Sequence, residues 1–149
     1  MTIAVIMAGV GLGLMIGMSG AGSAIGLVIG GQSAVGAMKK RPETFGSSLI
    51  LSGLPSTQGL YGFVCYIIYS GSVNESVSAF QGAIVLGAGI AIGLATMVSA
   101  IQQGKVCAAG ISAIGSGHDV FGRTFILAVF PEFYAILALV ASILMNGLL

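Results

Sequence analysis

One carboxylate stands inside the last apolar segment of the chain: Glu132, within LAVFPEFYAIL (127–137), preceded by Pro131. No other charged residue lies between Arg123 and the C-terminus, so a membrane-crossing segment here holds Glu132 near its middle. A charge at that depth costs roughly 2.5 to 3.5 kcal/mol on insertion scales, so it has to be paired, protonated or liganded, and it marks a functional site rather than simple helix glue. Polar groups able to serve it sit in two other apolar segments. Leu54, Thr57, Gln58 and Tyr61 follow one another at i, i+3, i+4 and i+7, one face of a helix that carries hydroxyl and amide groups. Gln102 and Gln103 close a third segment. Taken alone, Thr57 and Gln58 could equally make only interhelical hydrogen bonds. Pro55 has no N–H and is expected to leave the Leu51 carbonyl without its helical partner.

The elements that carry these groups are membrane helices by composition. Of 149 residues, 56% are hydrophobic, only 6% are charged and 25 are glycine, with a mean hydropathy of +1.09. Soluble domains are about 25% charged. Four apolar stretches, about 3–37, 45–69, 79–114 and 120–148, each reach the roughly 20 residues that cross the hydrocarbon core as a helix. The expectation is an all-α integral membrane protein, one membrane domain over 1–149. Lys39, Lys40 and Arg41 crowd the first connection and Lys105 and Arg123 flank the third, whereas the second holds only Glu75. The positive-inside rule then makes the loops around 38–44 and 115–119 cytoplasmic and puts both termini outside. Without a basic n-region, the N-terminal stretch reads as a retained first span. Three basic residues in one loop are too few to argue for nucleic acid. Cys65 and Cys107 read as packing residues, Tyr66 and Tyr69 as an interfacial belt, and His118 and Asp119 as a solvated turn.

Small residues dominate the first and third spans. Gly9, Gly13 and Gly17 recur every four residues, and Gly22, Gly26 and Gly30 repeat the step one stripe over. In the third span Ala83, Gly87, Ala91, Ala95 and Ser99 do the same. Such stripes let helix backbones approach closely in a membrane. A nucleotide-loop reading of Gly9, Gly11 and Gly13 fails for want of a preceding strand and a following acid. The two halves superpose without gaps: Gly11, Gly13 and Gly17 fall on Gly87, Gly89 and Gly93, Ser23 on Ser99, and Phe45, Gly46 and Pro55 on Phe121, Gly122 and Pro131. The chain is therefore a duplicated two-helix hairpin, 1–76 and 77–149, with both copies in the same orientation. Ser56 falls on Glu132, so only the second copy carries a carboxylate.

The duplicated glycine-rich hairpin, GLPSTQGLYGF (53–63), IQQG (101–104) and FPEF (130–133) together resemble the proteolipid rotor subunit of V-type ATPases, in the bacterial sodium-pumping branch. The resemblance runs over essentially the whole chain. It implies a homo-oligomeric ring of identical copies in the lipid bilayer, with the first and third helices inside and the second and fourth outside. It implies partners as well: a membrane stator subunit supplying an arginine, a cytoplasmic central-stalk subunit and an ATP-hydrolysing head. The chain would then be a non-catalytic subunit, with no organic cofactor. Carried over residue by residue, the resemblance makes Glu132 the ion carboxylate. Thr57, the Gln58 and Gln103 side-chain carbonyls and the Leu54 backbone carbonyl become further Na+ ligands, and the Tyr61 hydroxyl a hydrogen-bond donor to the carboxylate. Hard cations prefer oxygen ligands. A proton carrier needs fewer polar groups than these, so Na+ is expected and H+ is the alternative. A small proton-coupled secondary transporter is the rival from another class, but such transporters commonly rely on inverted repeats.

Overall fold

The computed structural model describes residues 3–149. Helix α1 (Ile3–Lys40) is followed by a 3-10 turn at Pro42–Thr44, α2 (Phe45–Gly53), a second 3-10 turn at Leu54–Ser56, α3 (Thr57–Ser70), α4 (Ala79–Gly115) and α5 (Phe121–Asn146). Helices α1, α4 and α5 are each long and apolar enough to cross a membrane. The fourth expected span is α2 and α3 together. Its backbone stays right-handed through Gly53, Leu54, Ser56 and Thr57, so the two pieces run on as one rod. At 38 residues and about 1.5 Å each, α1 is roughly 57 Å long and overhangs a hydrocarbon core of about 30 Å.

Pro55 explains the break in that rod, though not in the expected way. The Leu51 carbonyl that it was expected to orphan is taken by the Leu54 N–H. The chain tightens into a 3-10 turn around the proline, and an i→i+3 bond replaces the missing i→i+4 one. Pro131, at the matching place in α5, leaves that helix unbroken.

Helices α1 and α4 form the centre, backbone against backbone. A side chain at Gly11 would run into the Val85 carbonyl, and a Cβ at Gly104 would stand 2.5 Å from the Gly26 carbonyl oxygen. Two apolar clusters lie along this axis, one with Met15, Cys65, Tyr69 and Ile92, the other with Leu51, Cys107, Ile111 and Ala128. Between them buried polar side chains form a layer: Ser19, Ser23, Gln58, Thr96, Ser99 and Gln103. Both cysteines are free and buried, one in each cluster. The start of α4 is held by a capping box between Ser78 and Gln81.

The chain itself uses only some of the small-residue stripes, and one expectation needs correction. Only one glycine stripe of α1 closes a contact within the chain: Gly22 and Gly26 press on α4 and Gly30 on Ser52, while Gly9, Gly13 and Gly17 meet nothing within 4 Å. In α4 the face turned to α1 carries Gly82, Gly89, Gly93 and Gly104, and the Ala83-to-Ser99 stripe is rotated away, with Ala83 and Ala91 exposed. Tyr69 is no belt residue: it is fully buried and its hydroxyl donates to the Ser142 carbonyl at 2.5 Å.

Candidate ion-binding site

The polar layer converges on Glu132, which α5 presents half-buried between the exposed rings of Phe130 and Phe133. Oε1 of Glu132 accepts hydrogen bonds from the Tyr61 hydroxyl at 2.6 Å and the Thr57 hydroxyl at 2.7 Å. Oε2 accepts from Gln103 Nε2 at 2.7 Å and Gln58 Nε2 at 2.8 Å. Four donors on two oxygens fill the acceptor capacity of an ionised carboxylate, and bonds to a charged acceptor are the stronger kind. These donors arrive because the 3-10 turn at Leu54–Ser56 delivers Thr57 and Gln58 together at the start of α3, with Tyr61 one turn on.

Each glutamine is held from behind. Gln58 is wholly buried and Gln103 almost so. Gln58 Nε2 also donates to Gln103 Oε1 at 3.0 Å and to Ser99 Oγ at 3.2 Å, and Gln103 Nε2 donates to the Ala128 carbonyl at 2.8 Å. Both carboxamides therefore turn their nitrogens to Glu132. Around the Thr57 hydroxyl the oxygens are in excess: the Leu54 carbonyl and Gln58 Oε1 both lie 3.2 Å from it, besides Glu132 Oε1. A hydroxyl has one proton for these three acceptors.

The structure thus gathers Glu132, Thr57, Gln58, Gln103, Leu54 and Tyr61 in one place. It leaves Gln102 outside, exposed on α4 and with no hydrogen bond to Glu132. Sequence reasoning missed Ser99, which accepts from Gln58 and donates to the Pro131 carbonyl at 2.8 Å. It also missed Ser23, which accepts the Gly59 N–H at 2.7 Å. The signal was available, since both halves keep a serine there. The Ser19–Thr96 bond of 2.6 Å had no such signal, because the position matching Thr96 is Gly20. Ser56, at the place of Glu132 in the first half, is exposed and donates to the Gly53 carbonyl at 2.7 Å. Among the described residues the one salt bridge is Arg41–Glu43 in the first loop, and none of their cations pairs with Glu132. His118 and Asp119 are exposed in their turn.

Comparison with known proteins gives the family. The family model for the C subunit of ATP synthase matches twice, over residues 10–69 and 86–145, in the register of the internal repeat. The K subunit of the V-type sodium ATPase of Enterococcus hirae is 41% identical over 127 residues, covering 85% of this chain and 81% of that protein. The K subunit of the A-type ATP synthase of Methanocaldococcus jannaschii is 39% identical over 140 residues; the match covers 94% of this chain and 61% of the length of that relative. The 16 kDa proteolipid of the V-type proton ATPase of Ovis aries is 23% identical over 128 residues, 86% of this chain and 83% of that protein. With both hairpins matched and a relative above 40% identity over most of its length, the chain belongs to the family of the ATP synthase C subunit.

Proposed function

We propose that this chain is the ion-carrying rotor subunit of a V-type rotary ATPase and that it binds and translocates Na+ at Glu132, one ion per chain. The observation that carries the reading is the oxygen cluster at Thr57. Leu54 O, Gln58 Oε1 and Glu132 Oε1 all stand within 3.2 Å of its Oγ1, more acceptors than its single proton can serve. A small hard cation satisfies such a set by taking oxygens as ligands. Gln103 joins it by turning its carboxamide over to offer Oε1. With a monovalent cation bound, Glu132 and its neutral neighbours carry no net charge, which is what permits the site to face lipid.

In this mechanism Glu132 loads from the cytoplasmic side, travels neutral through the lipid and releases its ion outside. The basic loops around 38–44 and 115–119 face the cytoplasm, and both termini lie outside. The unloaded carboxylate needs a cation to stabilise it, and the described residues offer none, so an arginine on a stator subunit is the natural supplier. Copies of the chain form a ring, which a central stalk couples to an ATP-hydrolysing head. The chain itself performs no catalysis. Each charge moved against the field costs about 2.3 kcal/mol per 100 mV, which the head has to supply.

The test is labelling of Glu132 by a hydrophobic carbodiimide, which attacks protonated carboxyls, across pH with and without Na+. Competitive protection by Na+ is expected. Dependence on pH alone would make the chain a proton carrier, as the name of the ovine relative suggests for that protein.

A further inference from the structure

The buried carboxamide of Gln58 has more acceptors around its nitrogen than it can serve. Nε2 lies 2.8 Å from Glu132 Oε2, 3.0 Å from Gln103 Oε1 and 3.2 Å from Ser99 Oγ. An amide nitrogen has two hydrogens for these three acceptors, so in the empty site the longest contact, to Ser99, is redundant. Loading changes the count. When Gln103 turns its carboxamide over to give Oε1 to the ion, its nitrogen, a donor, comes to the place where Gln58 met an acceptor. Gln58 Nε2 then keeps Glu132 Oε2 and Ser99 Oγ, one acceptor for each hydrogen.

We propose that Ser99 is a positioning residue for the cation: it acts through Gln58, and its hydrogen bond is needed in the loaded site and spare in the empty one. Ser99 does not touch the ion. By holding Nε2 it keeps the other end of the carboxamide, Oε1, at 3.2 Å from Thr57 Oγ1, among the oxygens that would ligate the cation. The inference rests on the Na+ reading of the site and deepens it, by naming a residue that favours the ion-loaded state over the empty one.

Ser99 is available for this because the two halves use the same serine differently. Ser23, its match in the first hairpin, accepts the Gly59 N–H at 2.7 Å. Gly59 stands in the first turn of α3, where backbone N–H groups lack partners within the helix. Its match in the second hairpin, Ala135, lies inside the unbroken α5 and makes no such demand. Ser99 therefore gives its own proton to the Pro131 carbonyl, at 2.8 Å, and its lone pairs are left for Gln58. At 5% exposure it is closed off from bulk water, so solvent is not at hand to take its place. A buried amide hydrogen left without an acceptor is costly, and without Ser99 that cost falls on the loaded state alone.

Two titrations of carbodiimide labelling at Glu132, in the full-length membrane protein, test this. Ser99→Ala should raise the Na+ concentration that half-protects Glu132 about tenfold. The pH midpoint of labelling without Na+ should stay where it is, because the empty site still has an acceptor for each Gln58 hydrogen. The lost bond to Pro131 weighs on both states alike and drops out, whereas a general loosening of the site would move both readings. In a Gln58→Ala background, Ser99→Ala should have no further effect, since the group it holds is gone. Ser99→Cys keeps the shape with a weak acceptor and should shift Na+ protection in the same direction, which serves if the alanine variant fails to assemble. Unchanged Na+ protection, a pH midpoint that moves with it, or a full effect without Gln58 overturns the role of Ser99 and leaves the Na+ site standing. An unmodified chain that Na+ does not protect overturns the site reading, and this inference with it.

Discussion

Thr57→Ala removes the oxygen at the centre of the cluster and keeps the backbone, because the Thr57 N–H bond to Leu54 O does not involve the side chain. A hydrogen bond to a charged group is worth about 1.5–3 kcal/mol; with the hydroxyl–Na+ contact set at the same size, each 1.4 kcal/mol is tenfold in affinity. Loss of the ligand alone would therefore weaken Na+ binding about 10- to 150-fold. The same hydroxyl also donates to Glu132 at 2.7 Å without the ion, so its removal destabilises that arrangement too. The two losses partly offset, and the net effect should fall near the lower bound, roughly tenfold. The assay is the Na+ concentration that half-protects Glu132 from a hydrophobic carbodiimide at fixed pH. Thr57→Ser, which keeps the oxygen, should stay near the unmodified chain. Unchanged protection in Thr57→Ala would refute the argument that the excess of acceptors at Thr57 marks the cation.

Glu132→Gln should retain particle size and abolish both Na+ uptake into vesicles and Na+-stimulated ATP hydrolysis by the whole complex; normal uptake would sink the carboxylate assignment. Gly104→Ala places a carbon 2.5 Å from the Gly26 carbonyl, and the overpacking should cost about 1–3 kcal/mol, read as a lower unfolding midpoint in detergent. Tyr69→Phe removes the hydrogen bond to the Ser142 carbonyl and should lower stability by about 0.5–1.5 kcal/mol with ion binding intact. A midpoint unmoved by Tyr69→Phe would mean that water or the helix already serves that carbonyl.

The site was more legible in the sequence than the packing was. A lone acid in an apolar run and a row of polar groups at helical spacing are anomalies of composition, visible without coordinates. Glycine stripes announce close approach but not the approaching partner. Helix period alone could not separate the face of α1 that meets α4 from the one that meets nothing in the chain. Tyr69 was read from its place near a span end, where an amphipathic ring usually faces the interface. A backbone carbonyl in α5 within reach of its hydroxyl drew it inward instead. Pro55 could be seen to remove a donor, but whether the helix would leave the carbonyl bare or tighten around it depended on local backbone freedom. The orientation of the two carboxamides is likewise a tertiary matter: Ala128 O holds the nitrogen of Gln103 and Ser99 Oγ that of Gln58, and each acceptor lies far in sequence from the carboxamide it holds.

Ser56 has a mechanical meaning in the proposed ring. It brings no carboxylate where the second half has Glu132, so the first hairpin would take up circumference without carrying cargo. A wheel built from such chains has half as many teeth as one of equal girth with an acid in every hairpin. For the same energy delivered per revolution, each tooth then works with twice the force. In that ring the serine would gear the machine down, trading ions moved per ATP for the ability to push each one up a steeper gradient.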